Sequence, residues 1–139
     1  MACAFIRLVD YRRENMKSIV VGIAAAGLMI AGVAVAQEMP PLAKKNNCVV
    51  CHAIDHKVVG PAWMEVSKRY KGAKTYKYSN NGSAAPDAKE YPLVEGLMHK
   101  VSHGGHGNWG TTPMIANDPN ETNQDEIRQL VEFVLGLAK

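Results

Sequence analysis

The sequence lacks any long block of charges of one sign. Its 16 lysines and arginines and its 13 aspartates and glutamates are spread along 139 residues and leave a formal net charge of +3. Without a basic block there is no indication of a nucleic-acid partner, and without an acidic tract there is no indication of disorder. Hydrophobic residues make up 47% of the chain, which is sufficient for the core of one domain.

Alternation of apolar and polar residues, which marks a half-buried strand, is also missing after residue 36. Apolar residues recur at helical spacing instead, and prolines and glycines delimit the segments. The sequence therefore predicts an all-α domain of three to five short helices. Three of them are predicted near residues 42–47, 62–70 and 93–101, and the last follows Asn123.

The last helix has the clearest signal. Apolar residues recur along it at helical spacing, at Ile127, Leu130, Val131, Val134 and Leu135. Asn123 with Glu126 forms a candidate capping box at its start, and Thr122 with Asp125 offers the competing register.

Two stretches between the helices carry no helical pattern. Residues 72–91 are polar, contain the turn signal N-N-G at 80–82, and are predicted to form a long surface loop that could include a small hairpin. Residues 102–110 contain four glycines and are predicted to be irregular. Short helices joined by such loops make a poor core at this size, so we expect a metal, a covalent cross-link or a large buried cofactor.

Cysteine is scarce, and the few cysteines are informative. Two of the three, Cys48 and Cys51, precede His52 in a C-x-x-C-H motif, the attachment signature of c-type haem. A zinc ribbon would need a second ligand pair, and the chain has no second C-x-x-C. A thioredoxin-like pair would need a βαβ context, and a plain disulfide is the simplest alternative in an exported protein. The motif behind an export signal favours haem.

The motif predicts one covalently attached haem c per chain. One helical turn brings the two thiols to the separation of two vinyl groups, and the adjacent His52 then lies beneath the iron as an axial ligand. Met114, in the loop before the last helix, is the candidate for the opposite axial position. Met98 lies within a helix and is expected to fill the core. His103 and His106 remain alternatives that would give bis-histidine ligation.

Residues 48–63 and 107–114, followed by the helix at 123–135, resemble the haem-binding segments of bacterial class I (monohaem) cytochromes c of the c551/c552 type. The resemblance covers most of residues 37–139, with the motifs in the same order. It implies the small cytochrome c fold, in which short helices wrap around one covalent haem.

The same resemblance implies roles for two further residues. Pro61 would lend its backbone carbonyl to the ring N–H of His52, and Trp109 would lie at the haem edge with its indole N–H directed to a propionate. Two features depart from the family pattern. The polar loop is longer than in the smallest members, and Ile115 stands where a second proline often follows the methionine.

With both axial positions filled by the protein, the expected function is outer-sphere transfer of single electrons, without enzymatic activity. We expect a monomer that docks transiently to redox protein partners near a partly exposed haem edge. Four lysines could form a weak positive rim there, Lys44, Lys45, Lys57 and Lys100. The alternatives are a bis-histidine or five-coordinate haem domain acting as a sensor or peroxidase, and an electron-entry subunit of a larger oxidoreductase.

The N-terminal third is interpreted as an export sequence. Residues 19–36 are almost wholly apolar, follow Lys17 and end in the small-x-small pattern A-V-A. We therefore predict a signal peptide over 16–36, cleaved after Ala36, and a periplasmic cytochrome c domain over 37–139 that keeps no membrane span. The alternative is an uncleaved membrane anchor.

Residues 1–15 fit poorly ahead of this signal, because they carry Asp10 and Glu14. They are interpreted as a misassigned start or a leader extension, with translation beginning at Met16.

N-terminal sequencing and intact mass of the protein from the periplasmic fraction are expected to give Gln37 as the first residue. Retention of residues 16–36 in a membrane fraction would contradict cleavage. Peptides from residues 1–15 in the precursor would contradict a start at Met16.

Overall fold

Prolines and glycines mark several helix ends in the computed structural model, which describes residues 37–138. Residues 1–36, with the predicted leader and signal peptide, lie outside this part of the chain. Helix α1 (Pro41–Lys45) begins with proline, and a single 3-10 turn (Cys48–Val50) follows it. Helix α2 spans Trp63–Tyr70, α3 spans Leu93–His103 and α4 spans Gln124–Leu135. The prediction of a domain built mainly of short helices is confirmed.

Helix α3 is longer than the sequence predicted, because Ser102 and His103 are helical rather than irregular. The helix ends where Gly104 takes a left-handed φ of 73°, a conformation that glycine adopts without a Cβ clash. The amide N–H of Gly104 still donates to the Lys100 carbonyl at 3.0 Å. The first glycine of the glycine-rich stretch therefore ends the helix, and the irregular loop begins there.

The small hairpin that the sequence allowed within the polar segment 72–91 is present. Strand β1 (Thr75–Tyr78) pairs antiparallel with β2 (Lys89–Pro92), in a register that places Tyr76 opposite Tyr91. Tyr76 is buried with 4% of its surface exposed, and a Cβ at Gly96 of α3 would lie 2.8 Å from its Cβ. The alternation of exposed and buried residues covers only four residues, so the turn signal at 80–82, and not a strand pattern, was what indicated the hairpin.

Helix α4 carries the two parts of the core on adjacent faces. Leu130 and Val134 pack with Ala43 and Trp63, which joins α4 to α1 and α2. Ile127 and Val131 pack in a second cluster with Tyr76, Leu97 and Met98, which joins α4 to α3 and the hairpin. Met98 fills the core, as its helical position predicted.

The start of α4 is capped differently from the prediction. The Asn123 side chain makes no capping hydrogen bond; instead, the backbone N–H groups of Thr122 and Asn123 each donate to the Asp118 carboxylate at 2.9 Å. Glu126 accepts from the side chains of Lys45 and Asn46, so it links α4 to α1. The capping-box prediction is wrong because Glu126 is engaged by α1, while the Asn123 side chain donates to the adjacent Thr122 hydroxyl.

Ser67 connects α2 to the C-terminal end of α4. Its hydroxyl donates to the Leu135 carbonyl and accepts from the Ala138 amide N–H, both at 2.9 Å, and its surface is 1% exposed.

In Ser67→Ala, the Leu135 carbonyl and the Ala138 N–H would both lose this hydrogen-bond partner, and each buried unpaired group costs about 1–3 kcal/mol. We expect urea unfolding of the haem-loaded protein to show a loss of about 2–4 kcal/mol. Ser83→Ala, a half-buried serine in the hairpin, is the control and is expected to change stability by less than about 1 kcal/mol.

Asp118 should make stability depend on pH. Burial alone would raise the pKa of this carboxyl, but hydrogen bonds from Asn123, Thr122 and Gln124 outweigh it and hold the pKa below its usual value. The stabilisation is therefore complete above about pH 4, the ordinary aspartate pKa, and is lost as the pH falls through the lower folded-state pKa.

Asp118→Asn is expected to lower the Tm by several degrees at pH 7, and the difference from wild type should shrink in acid. The exposed Glu132→Gln on α4 is the control and should change the Tm less at pH 7. A Tm difference for Asp118→Asn that grows as the pH falls below 4 would contradict the assignment.

Candidate cofactor site

A cavity of about 540 Å³ lies between the C-x-x-C-H segment, α3, α4 and the loop after α3. Its volume falls within the range of about 300–1,000 Å³ that ligand pockets occupy. Apolar side chains from both core clusters form much of its wall, including Trp63, Leu97, Leu130, Val131 and Val134. The cavity therefore suits a large, mainly apolar group with a small number of polar contacts.

The two cysteines of the motif both line this cavity. The 3-10 turn that begins at Cys48 places them one turn apart, and the amide N–H groups of Cys51 and His52 both donate to the Cys48 carbonyl, at 3.2 and 2.9 Å. Both thiols are free and half-buried, and burial raises the pKa of the Cys48 thiol above its ordinary value. The turn thus presents two thiols to one end of the cavity.

The imidazole of His52 is held in a defined orientation beside the thiols. Its Nδ1 lies 2.8 Å from the Pro61 carbonyl oxygen, which can only accept, so Nδ1 carries the proton and Nε2 is left with a free lone pair. A Cβ at Gly60 would lie 2.3 Å from the His52 Cε1 atom, so only glycine fits against the ring. His52 also lines the cavity, and its ring is 6.1 Å from that of Trp63.

Met114 reaches the same cavity from the loop between α3 and α4. Its backbone pairs with Gly105 through two hydrogen bonds of 3.0 Å, the N–H of each residue donating to the carbonyl of the other. A Cβ at Gly104 would lie 2.4 Å from the Met114 carbonyl oxygen. The loop is therefore fixed to the end of α3, and the Met114 side chain is half-buried.

Lys100 does not belong to an exposed rim, and that prediction is wrong. It lies on the apolar face of α3, three residues after Leu97, and is only 9% exposed. Its Nζ donates to the Gly105 carbonyl at 2.5 Å, and burial lowers the pKa of its ammonium group. Lys44, Lys45 and Lys57 are exposed, and Lys45 is paired with Glu126.

Two residues that the sequence did not single out complete the wall near Trp109. The Arg69 guanidinium lies 4.5 Å from the centre of the Trp109 ring, and its Nη1 donates to the Asn108 carbonyl at 2.6 Å. Asn108 lines the cavity and is 6% exposed, yet its side-chain Oδ1 has no hydrogen-bond partner within residues 37–138. Rotation of this side-chain amide by 180° would present Nδ2 in place of Oδ1, and Nδ2 could donate to a carboxylate of the occupant such as a haem propionate.

The two alternative histidine ligands lie in different surroundings. His106 lines the cavity and is exposed. His103 does not line it, because its Nε2 lies 3.0 Å from the Glu121 carboxylate on another side of α3. The structure thus brings Cys48, Cys51, His52 and Met114 to one cavity and leaves His103 outside it.

Sequence comparison agrees with this geometry. The family model described as Cytochrome c matches residues 40–138. Cytochrome c-551 of Azotobacter vinelandii is 36% identical over 94 residues, covering 68% of this chain and 90% of that protein. Cytochrome c-552 of Hydrogenobacter thermophilus is 35% identical over 115 residues, covering 83% and 93%. A crystal structure of Nitrosomonas europaea cytochrome c552 aligns with a TM-score of 0.49 and 32% identity, covering 69% of this chain and 95% of that one.

Gly60→Ala tests the contact that positions His52. The added Cβ would overlap the ring, so either the backbone or the imidazole must move, which costs about 1–3 kcal/mol in an overpacked site. We expect that loss of stability together with a changed His52 ring ¹⁵N spectrum, because the bond to Pro61 is disturbed. Gly136→Ala is the control, since its Cβ would meet the Glu132 carbonyl at 3.4 Å, an ordinary contact. An unchanged His52 spectrum in Gly60→Ala would contradict the positioning role.

Proposed function

Since the chain belongs to the cytochrome c family, we propose that it is an exported single-electron carrier whose haem is held by Cys48, Cys51, His52 and Met114. Proteins of this family carry covalently bound haem c and transfer electrons, and they are not enzymes. One observation carries the proposal for this chain: two free thiols, a preoriented imidazole and a thioether line a single apolar cavity.

Cys48 and Cys51 are the proposed attachment points. The turn that holds them gives both thiols access to the same side of the cavity, as two thioether bonds to one ring system require. Because covalent bonds would hold the haem in place, the rest of the cavity wall does not have to supply specific polar contacts for binding and can be apolar. When bound, the haem supplies a one-electron couple between ferric and ferrous iron.

His52 and Met114 are the proposed axial ligands. The Pro61 carbonyl holds the His52 ring in the tautomer that presents Nε2, and such a contact raises the basicity of a ligating imidazole. The Gly105 backbone pair holds Met114 in a fixed loop. Because both ligands are held by contacts outside the iron site, little rearrangement is needed when the charge on the iron changes. A thioether ligand opposite histidine raises the potential.

Trp109 is proposed to lie at the haem edge with its indole N–H directed to a propionate. Its place in the cavity wall and the Arg69 guanidinium over its ring both support this arrangement. Arg69 fixes the plane of the indole and adds positive charge beside the site where a carboxylate would lie.

Electron transfer is proposed to occur through the exposed rim of the cavity. Val50, Val59 and Ile115 line the cavity and are 66%, 50% and 72% exposed, so apolar surface surrounds its mouth. Such a small apolar patch with few charges suits short-lived docking of a redox protein partner to a monomer. Ile115 replaces the proline of the family pattern and contributes to this rim.

The site of action is proposed to be the periplasm, after cleavage behind Ala36. Relatives of the c-551 and c-552 type are typically exported. Within residues 37–138, no helix has the length and apolar character needed to cross a membrane. The sensor, peroxidase and fixed-subunit alternatives have no comparable support in this cavity.

Met114→Leu tests both the ligand and the function. The ferric wild-type protein is expected to show the weak far-red sulfur-to-iron charge-transfer band, and a reversible titration should follow a one-electron curve. Met114→Leu should lose the band entirely and shift the potential downward, because the thioether no longer favours ferrous iron. Met64→Leu, a half-buried methionine packed in the core beside Trp63, is the control and should keep the band.

Three results would count against the proposal. A low-spin ferric spectrum without the band would point to His106 as the ligand. A high-spin spectrum in the wild type would mean an open axial position and would favour sensor or peroxidase chemistry. A band that persists in Met114→Leu would exclude Met114.

A further inference from the structure

We propose that His99, His103 and Glu121 form a second metal site, separate from the haem cavity, that binds one divalent first-row transition ion such as Zn²⁺. His99 and His103 are four residues apart on α3 and therefore share one helix face. Glu121 reaches this face from the loop before α4. The three candidate ligand atoms all lie within 4.8 Å of one another.

The distances are close to those of a metal polyhedron. The Glu121 Oε1 atom lies 3.0 Å from His103 Nε2 and 3.9 Å from His99 Nδ1. Ligand atoms bound to Zn²⁺ at about 2.0–2.1 Å in a tetrahedron are roughly 3.3 Å apart. Small rotations of three side chains would close the site, with the metal taking the place of the proton now between His103 and Glu121.

The ligand set matches the proposed class of ion. Two imidazoles and one carboxylate suit zinc, copper, nickel or iron, whereas magnesium and calcium prefer all-oxygen ligands. The three side chains are partly exposed, at 33%, 32% and 48% for His99, His103 and Glu121. Solvent can therefore supply the remaining ligand, and an ion can enter without opening the fold.

Surrounding contacts hold the ligands in place. The His99 ring is 4.5 Å from the Tyr91 ring and 6.0 Å from the Tyr78 ring, so the hairpin restricts its rotation. Glu121 has a left-handed φ of 55°, which is uncommon for a residue with a Cβ, and its N–H donates to the Asp118 carbonyl at 3.0 Å. Lys100, between the two histidines in sequence, turns into the interior and leaves the metal-facing surface free of its charge.

The first test is calorimetric titration of the haem-loaded, chelator-treated protein with Zn²⁺. We expect one ion per chain and an unchanged haem spectrum, because the site does not share ligands with the iron. His99→Asn and His103→Asn should each weaken binding by at least ~10-fold, since even outer-shell changes have effects of that size. Glu121→Gln should weaken it several-fold, because the carboxylate charge is lost.

His56→Asn is the matched control. His56 also contacts a carboxylate, with its Nδ1 2.7 Å from Asp55 Oδ1, but it belongs to no three-ligand cluster among residues 37–138. Its substitution should leave Zn²⁺ affinity unchanged. Equal weakening by His56→Asn and His103→Asn would overturn the proposal, and so would an unchanged affinity in Glu121→Gln, which would reduce the site to a generic histidine pair.

A second measurement does not depend on the variants folding. In the wild-type ferrous protein, Zn²⁺ should shift the ring resonances of His99 and His103 and leave those of His56 and His106 in place. It should also raise the Tm, because the ion binds the folded chain preferentially. Shifts at His106 instead of the α3 pair, or no binding at millimolar Zn²⁺, would overturn the proposal.

Discussion

The apolar cavity is the constraint on which the rest of the structure depends. The domain has few large side chains to bury. Its two core clusters each include residues of α4, on adjacent faces of that helix. Leu130, Val131 and Val134 belong to those clusters and also line the cavity. An empty cavity of this size would leave those side chains without contacts on one side, at a cost that grows with the volume. The helices can therefore be short because the haem supplies the missing part of the core.

The loop that carries Met114 packs closely against neighbouring backbone, and side chains at its glycines would prevent this packing. A Cβ at Gly104 would meet the Met114 carbonyl at 2.4 Å, and one at Gly105 would meet the Asn80 carbonyl at 2.5 Å. The His106 N–H donates to that same Asn80 carbonyl at 2.9 Å. The hairpin turn thus supports the glycine segment from one side, and Met114 pairs with it from the other. The polar segment 72–91 therefore packs against the loop that carries Met114 and supports it.

The residues that meet at the cavity could be predicted from sequence because their signals are local. Cys48, Cys51 and His52 lie within five residues, and Met114 stands in a recognisable loop before a strongly amphipathic helix. Residues whose role depends on how the loops fold back on the helices were missed. Lys100 looked like a surface charge until its Nζ was found on the Gly105 carbonyl, and Asn108 and Arg69 carry no local motif. Asn123 looked like a helix cap, but its side chain donates to Thr122, and Asp118, five residues earlier, accepts from the Thr122 and Asn123 amides just before the helix.

Contacts on two faces of the C-terminal end of α3 determine the position of the loop that carries Met114. On the inner face, Lys100 holds the Gly105 carbonyl, and Gly105 pairs with Met114. Further along, the N–H groups of Asn117 and Asp118 donate to the carbonyls of Val101 and Ser102, so the chain after Met114 follows the last turn of the helix. On the outer face, His103 contacts Glu121 at the end of that same segment. Because the segment is tied along its length, a displacement of α3 would move Met114 with it. The rigidity proposed for Met114 therefore resides in one helix terminus and the chain wrapped around it, whereas His52 is held separately by the Pro61 carbonyl.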